Sequence, residues 1–356
     1  MPEDPSTEAV PPAPKASPEP GRDRSLDVAK GLAILAIVVS HVLRGLAAAD
    51  DVNRTSTAFL EVDDALYSWH VAVFALVAGV FLPRGVEKRG TAAYLRPRLI
   101  LFAWLYVVWT VVQAGEKLLE GVVGDGPADV GAFFLSFVIA YGQLWWLGFM
   151  VLASLAGAFV QPWVSRRRAV LSSLAVLAVS LLAWGWTGPW LFLEGIALLA
   201  FFWAGMLAGR GGTASVTTSR ATVWVAAVGL VVGSVLLVLA DPMPPSSWLG
   251  ARTLPALGLG VVTAVSLCAG VLALSGLLAR TRLVTPLALV GERSLEIFLG
   301  HIIAIAAALG LLEALGLEAF ALQVVAGTVA GVVLPLGLWE LGRRVGFPWL
   351  FASPWR

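Results

Sequence analysis

The chain has 356 residues, 58% of them hydrophobic and only 13% charged, with a formal net charge of +1. A soluble domain carries roughly 25% charged residues, so this composition, with a mean hydropathy of +0.85, excludes an ordinary soluble enzyme. It predicts an all-α polytopic membrane bundle with little loop, whose neutral charge gives no footing for nucleic acid. The single cysteine, Cys268, cannot form an internal disulfide and sits in an apolar stretch, where cysteine behaves as a small core residue. The three histidines, His41, His70 and His301, lie far apart in sequence and offer no metal-ligand spacing.

Residues 1–24 are rich in Pro, Glu, Ser and Ala without apolar periodicity, which predicts a disordered tail. Arg22 and Arg24 then precede an apolar run ending Ala47-Ala48-Ala49, the outline of a signal peptide. That run is longer than the usual roughly 7–15 residues and carries Asp27, Lys30 and His41, so a spanning helix is the better reading. The expected organisation is a tail over 1–24, one transmembrane domain over 25–345 and a short tail over 346–356.

Apolar runs of about 20 residues predict about ten membrane-spanning helices. They fall at 26–47, 66–83, 95–114, 142–161, 168–187, 190–209, 221–240, 253–274, 292–312 and 319–341. Residues 128–141 are also apolar and read as an interfacial or re-entrant approach to the fourth helix. With the N-terminus in the cytoplasm, this alternation places 20 of the 24 Lys and Arg on the cytoplasmic side, leaving Arg44, Arg54, Lys117 and Arg252 outside. The positive-inside rule therefore predicts a multi-pass cell-membrane protein with both ends cytoplasmic.

Charged groups inside a membrane helix cost about 2.5–3.5 kcal/mol each on insertion scales, so those that persist deserve a functional reading. Lys30 and His41 are eleven residues apart on the first helix. Eleven steps of 100° place them on one face, about 16 Å apart along the axis. Asp27, three residues before Lys30, is spaced to pair with it. Such a pair is either an interfacial salt bridge with a snorkelling lysine or an anchor for an anionic ligand. His41 lies deeper, as a hydrogen-bonding staple between helices or a general base, since neutral imidazole takes a proton near pH 7. His70 opens the returning helix at a similar depth. Arg96 and Arg98 enter the third helix, set either for lipid contact or for the phosphates of a nucleotide-like donor. Trp145 and Trp146 sit where belt tryptophans are common. Glu296 and His301 share the ninth helix, five residues and about 140° apart. Glu340 is expected to pair with Arg343 or Arg344.

Several of these features coincide in one family. Leu26-Asp27-Val28-Ala29-Lys30-Gly31-Leu32-Ala33-Ile34 followed by His41 resembles the opening motif of the acyltransferase-3 family of integral membrane O-acyltransferases. Ser68-Trp69-His70-Val71-Ala72-Val73-Phe74 is similar to its second-helix motif, and Arg96-Pro97-Arg98-Leu99-Ile100 to the basic entry of its third helix. Leu144-Trp145-Trp146-Leu147 resembles its Leu-Trp-Phe-Leu. Gly291-Glu292-Arg293-Ser294-Leu295-Glu296-Ile297-Phe298-Leu299-Gly300-His301 resembles its closing Gly-x-x-Ser-x-x-Ile-Tyr-x-x-His. Lys30 stands where arginine is commoner, closer to the fucose 4-O-acetylase-like branch, and Ala72 and Ala78 replace a motif proline and serine.

The resemblance implies transfer of an acyl group, usually acetyl, from cytoplasmic acyl-CoA to a hydroxyl of a glycan or other small acceptor. No bound cofactor is implied, since acyl-CoA is the donor substrate. Lys30, Asp27, Arg96 and Arg98 would hold the donor. His41 would be the base, with His70 beside the acceptor, and Trp145, Trp146, Glu296 and His301 would complete the pocket. Direct transfer and an acyl-histidine intermediate both fit these residues. The rival from another class is a transporter or flippase of a surface-glycan precursor. Ten helices with buried ionisable groups suit it, but matching halves with paired Gly/Pro-broken helices are not seen.

Overall fold

The computed structural model describes residues 24–48, 57–123, 129–140, 142–186, 191–246, 248 and 250–355. The expected disordered tail falls outside the described residues except for Arg24. Among the described residues there are thirteen α-helices and no strand. In chain order these are α1 (Ser25–Ala48), α2 (Thr57–Tyr67), α3 (His70–Arg89), α4 (Thr91–Val123), α5 (Val130–Leu135), α6 (Trp145–Val160) and α7 (Arg166–Leu182). There follow α8 (Leu199–Thr218), α9 (Thr222–Leu239), α10 (Leu254–Leu278), α11 (Val284–Glu292), α12 (Ser294–Ala314) and α13 (Phe320–Arg344).

Nine helical segments among the described residues are long and apolar enough to cross a membrane, α2 and α3 together making one of them. The tenth expected pass is α7, whose 17 residues span about 26 Å. It runs antiparallel to α8: Ser172 Oγ accepts from Trp203 Nε1 at 3.0 Å, and Ser180 Oγ accepts from Ala200 N at 3.1 Å. Its start is capped by Ser165, whose hydroxyl accepts from Arg168 N. The fold is thus an all-α polytopic bundle. Alternating passes bring the start of α1 and the end of α13 to the same end of it, here called the Lys30 end. The opposite end, near Arg44, is the Arg44 end. The apolar segment before α6 folds as the six-residue α5, which leaves Val130, Phe134 and Leu135 exposed.

Helix α1 is buried on almost every side and packs against α3, α10, α11, α12 and α13. Lipid supplies no hydrophobic drive between spanning helices, so close contact depends on small residues. At the Lys30 end a Cβ on Gly291 would overlap the Asp27 carbonyl, and one on Gly31 would overlap that of Leu287. The α1 and α11 backbones therefore touch directly beside Lys30. Gly79 and Gly205 play the same part where α3 crosses α8. The segment after α13 folds back onto α4. Trp104 and Trp109 donate their indole N–H groups to the Trp349 and Leu350 carbonyls at 2.8 and 2.7 Å, and Phe351 packs on Trp109.

Because the α1–α11 seam leaves no room for a methyl group, Gly291→Ala is expected to destabilise the protein by about 1–3 kcal/mol. Gly310→Ala, where an added Cβ meets nothing, is expected to melt as the native protein does. Thermal unfolding of both variants in detergent checks this, and equal melting temperatures would contradict it.

Candidate functional site

The second span is not one helix. It breaks at Ser68-Trp69, where Trp69 leaves the helical region at φ −140°. Ser68 Oγ donates to the Asp64 carbonyl at 2.8 Å, and Cys268 Sγ lies 3.8 Å from the Trp69 carbonyl, so the break is held from both sides. His70 is the first residue of α3 and therefore sits on the corner. Its ring lies edge-on to Tyr67, with centroids 4.7 Å apart.

All three histidines use one device. His41 Nδ1 lies 2.9 Å from the Ile37 carbonyl, His70 Nδ1 contacts the Leu66 carbonyl, and His301 Nδ1 lies 2.8 Å from the Phe298 carbonyl and 3.1 Å from that of Ile297. A carbonyl can only accept, so each Nδ1 carries the proton and each Nε2 keeps its lone pair. The Nε2 atoms of His70 and His301 are buried without a hydrogen-bond partner among the described residues. The rings of His41 and His301 meet edge to face, with centroids 4.9 Å apart.

His41 and His70 border a cavity of about 460 Å³, the size of a small-molecule site. Lys30, Arg98 and Ser294 line it at the Lys30 end. Ile37, Phe74, Phe102, Met150 and Phe298 form its apolar middle. His41, His70, Arg44, Tyr67, Glu194 and Ser246 line it at the Arg44 end. Lys30 and His41 therefore face one continuous space about 16 Å apart along α1. Trp145 and Trp146 line it too, Trp146 packing on Phe149 with centroids 4.9 Å apart. Gln143 lines the wall between them and α12, its Nε2 3.5 Å from the Phe298 carbonyl.

The remaining sequence candidates occupy supporting places. Asp27 does not border the cavity but pairs with Lys30 at 2.9 Å, fixing its ammonium. Arg98 lies over the Tyr94 ring at 4.9 Å, with its Nε buried and without a partner among the described residues. Arg96, two residues and about 200° away around the same helix, is exposed and does not border the cavity. Glu296 is held by Arg293 at 3.2 Å, which also lies over Trp339, and points away from the cavity. His301 does not border the cavity and reaches it through His41 and Phe298. Glu340 takes both Arg343 and Arg344, at 3.0 and 2.7 Å. No group of three or more His, Cys, Asp or Glu placed to hold a metal lies among the described residues.

Four cavity groups at the Arg44 end escaped the sequence reading. Arg44 makes a two-pronged pair with Asp63, at 2.8 and 2.6 Å, and lies over the Tyr67 ring at 4.1 Å. Ser40 Oγ donates to the same carboxylate at 3.3 Å. Arg44 is one turn beyond His41, and that i, i+3 spacing was the available signal. Tyr67, Glu194 and Ser246 come from chain breaks whose positions no periodicity marks. Burial pushes the Glu194 carboxyl up to about 7, with Arg44 pulling the other way.

The Arg44–Asp63 pair ties α2 to α1 across the Arg44 end, with the Asp63 side chain only 8% exposed. We predict that Asp63→Asn, which leaves the guanidinium without its carboxylate, costs about 1–3 kcal/mol. Replacing both partners with leucine should recover part of that loss, because no lone charge is then left behind. Melting temperatures of the two variants decide it, and a double variant no more stable than Asp63→Asn would contradict the argument.

No curated protein and no solved structure matches the chain. One family, Acyl_transf_3, described as an acyltransferase domain, matches residues 23–340. The matched region spans every helix from α1 to most of α13, and with them all three histidines and the whole cavity lining. The chain belongs to this family of acyltransferases and is a multi-pass membrane enzyme.

Proposed function

We propose that this enzyme transfers an acyl group, acetyl in the simplest case, from cytoplasmic acyl-CoA to a hydroxyl of a glycan or other polyhydroxylated acceptor. The observation that carries the reading is the single cavity joining Lys30 and Arg98 to the imidazole of His41. CoA combines an anionic, phosphate-bearing head with a long thin arm. Lys30 and Arg98 suit the phosphates. The apolar middle suits the arm, and the roughly 16 Å between the two regions brings a thioester to His41.

The orientation follows from charge. Of the described Lys and Arg, 17 lie toward the Lys30 end and three, Arg44, Lys117 and Arg252, toward the other. The positive-inside rule assigns the Lys30 end to the cytoplasm, where CoA resides. The acceptor then enters from the Arg44 end.

In the reaction, His41 Nε2 takes the proton of the acceptor hydroxyl as its oxygen attacks the thioester carbonyl carbon. The new C–O bond forms, the C–S bond breaks, and the thiolate receives the proton from His41 as it leaves. The Ile37 carbonyl holds the Nδ1 proton throughout, keeping the lone pair on the nitrogen that is needed. His70 borders the same end and serves the acceptor. His301 packs against His41 and fixes its ring.

His41→Ala is expected to lower turnover by about 10²–10⁴-fold while leaving the binding of a non-hydrolysable acyl-CoA nearly intact. Lys30→Ala and Arg98→Ala should do the reverse and weaken donor binding. Turnover and equilibrium binding measured on the three variants test the assignment; loss of donor binding in His41→Ala, or its full activity, would refute it. A reporter joined after Arg356 is expected to read as cytoplasmic, and an external reading would overturn the orientation.

A further inference from the structure

Ser246 and Glu194 are among the polar cavity groups that take no part in the reaction just described. Ser246 is only 2% exposed, yet it lines the cavity, and its Oγ has no hydrogen-bond partner among the described residues. A buried hydroxyl left unsatisfied is uncommon and costly, so one that faces a cavity is a candidate ligand group. Its position is not loose. The preceding chain is pinned by Gly185 N donating to the Pro245 carbonyl at 3.0 Å and Trp184 Nε1 donating to the Met243 carbonyl at 2.8 Å. Met243 N in turn donates to the Ala256 carbonyl at 3.0 Å, tying the segment to α10.

Glu194 is the second group. It is half-buried, lines the same end of the cavity and makes no side-chain hydrogen bond among the described residues. The residue after it, Gly195, has φ +81°, and a side chain there would overlap the Trp145 ring. Glu194 is therefore presented by a turn that only glycine permits, packed against a cavity tryptophan. The other charged group at this end, Arg44, is already committed to Asp63 on two prongs.

What remains open to a ligand at the Arg44 end among the described residues is the Glu194 carboxylate, the Ser246 hydroxyl, the Gln143 amide oxygen and imidazole lone pairs, with Glu194 and Ser246 on two independently anchored segments. A carboxylate accepts from hydroxyl protons, and a serine hydroxyl both donates and accepts. That inventory recognises alcohols. It offers no free cation for an anionic acceptor.

We propose that Glu194 and Ser246 form the subsite for the acceptor's non-reacting hydroxyls, selecting an uncharged polyol and holding it with one further hydroxyl beside His41. This rests on the acyl-transfer reading of the same cavity. Both residues are positioning groups: they fix the acceptor and do not touch the reacting carbonyl.

The test is equilibrium binding of two probes to the full-length protein in detergent, methyl glucoside as the neutral polyol and glucuronic acid as its carboxylate counterpart. Methyl glucoside is expected to bind saturably and more tightly than glucuronic acid. Glu194→Gln and Ser246→Ala should each weaken methyl glucoside about tenfold, because a hydrogen-bonding site left unpaired discriminates strongly. Glu194→Gln should also narrow the gap between the two probes. Failure of methyl glucoside to bind saturably, or unchanged binding in both variants, would overturn the proposal. Thiol release from acetyl-CoA by the same protein is scored alongside. It fails only if the donor reading is wrong, so the two failures are distinguishable.

Discussion

The structure depends on keeping a neutral imidazole, with its lone pair on a chosen nitrogen, inside a low-dielectric bundle. In hydrocarbon a charged side chain costs several kcal/mol and an unpaired donor is nearly as unwelcome. The helix itself supplies the remedy. A carbonyl one turn back accepts from the Nδ1–H of His41, His70 and His301 alike. The neutral ring is thereby held in one tautomer and one orientation, with the unshared pair presented at Nε2. The same logic explains two of the charged groups that persist. Lys30 is matched by Asp27 and Arg44 by Asp63, so the cavity is polar at both ends without leaving lone charges in its apolar middle.

Packing places this chemistry. With no hydrophobic drive between helices in lipid, the core helix α1 is seized by backbone contact at Gly31 and Gly291, and the α3–α8 crossing by Gly79 and Gly205. The first contact fixes the depth of Lys30, and the second fixes α3, hence the corner at His70. The break between α2 and α3 then turns His70 toward the cavity. Irregular backbone of this kind is tolerated at membrane depth only where it is buried in protein or borders a cavity. The histidine on that corner does both.

Much of this was legible in the residues. The helix count and order follow from apolar runs, since a spanning helix has little freedom in length. Helix 168–187 is the instructive case: a helix forms there and runs antiparallel to α8, but α7 is only 17 residues long, starts with Arg166-Arg167-Arg168 and is not among the nine described segments long and apolar enough to span. Lys30 and His41 sharing a face was arithmetic on a regular helix, and the cavity follows that face. Helical phase also separates Arg98, which lines the cavity, from Arg96, which is exposed, although the two arginines read alike in sequence. Glu194, Ser246 and Tyr67 were out of reach for a different reason. They reach the cavity from turns and a helix break, where side-chain direction depends on tertiary contacts such as Gly195 against Trp145 and not on any period. Arg44 was counted for topology alone, because its partner Asp63 lies nineteen residues away on another helix.

The account rests on a donor threaded from the Lys30 end to His41. A structure of the protein with a non-hydrolysable acyl-CoA bound tests this most directly. The account predicts the phosphates beside Lys30 and Arg98, the pantetheine arm in the apolar middle between Phe102 and Phe298, and the acyl carbonyl carbon at the His41 level, leaving room for an acceptor oxygen about 3–3.5 Å away. A donor whose phosphates sit at Arg44, or whose arm lies outside the cavity, would contradict it.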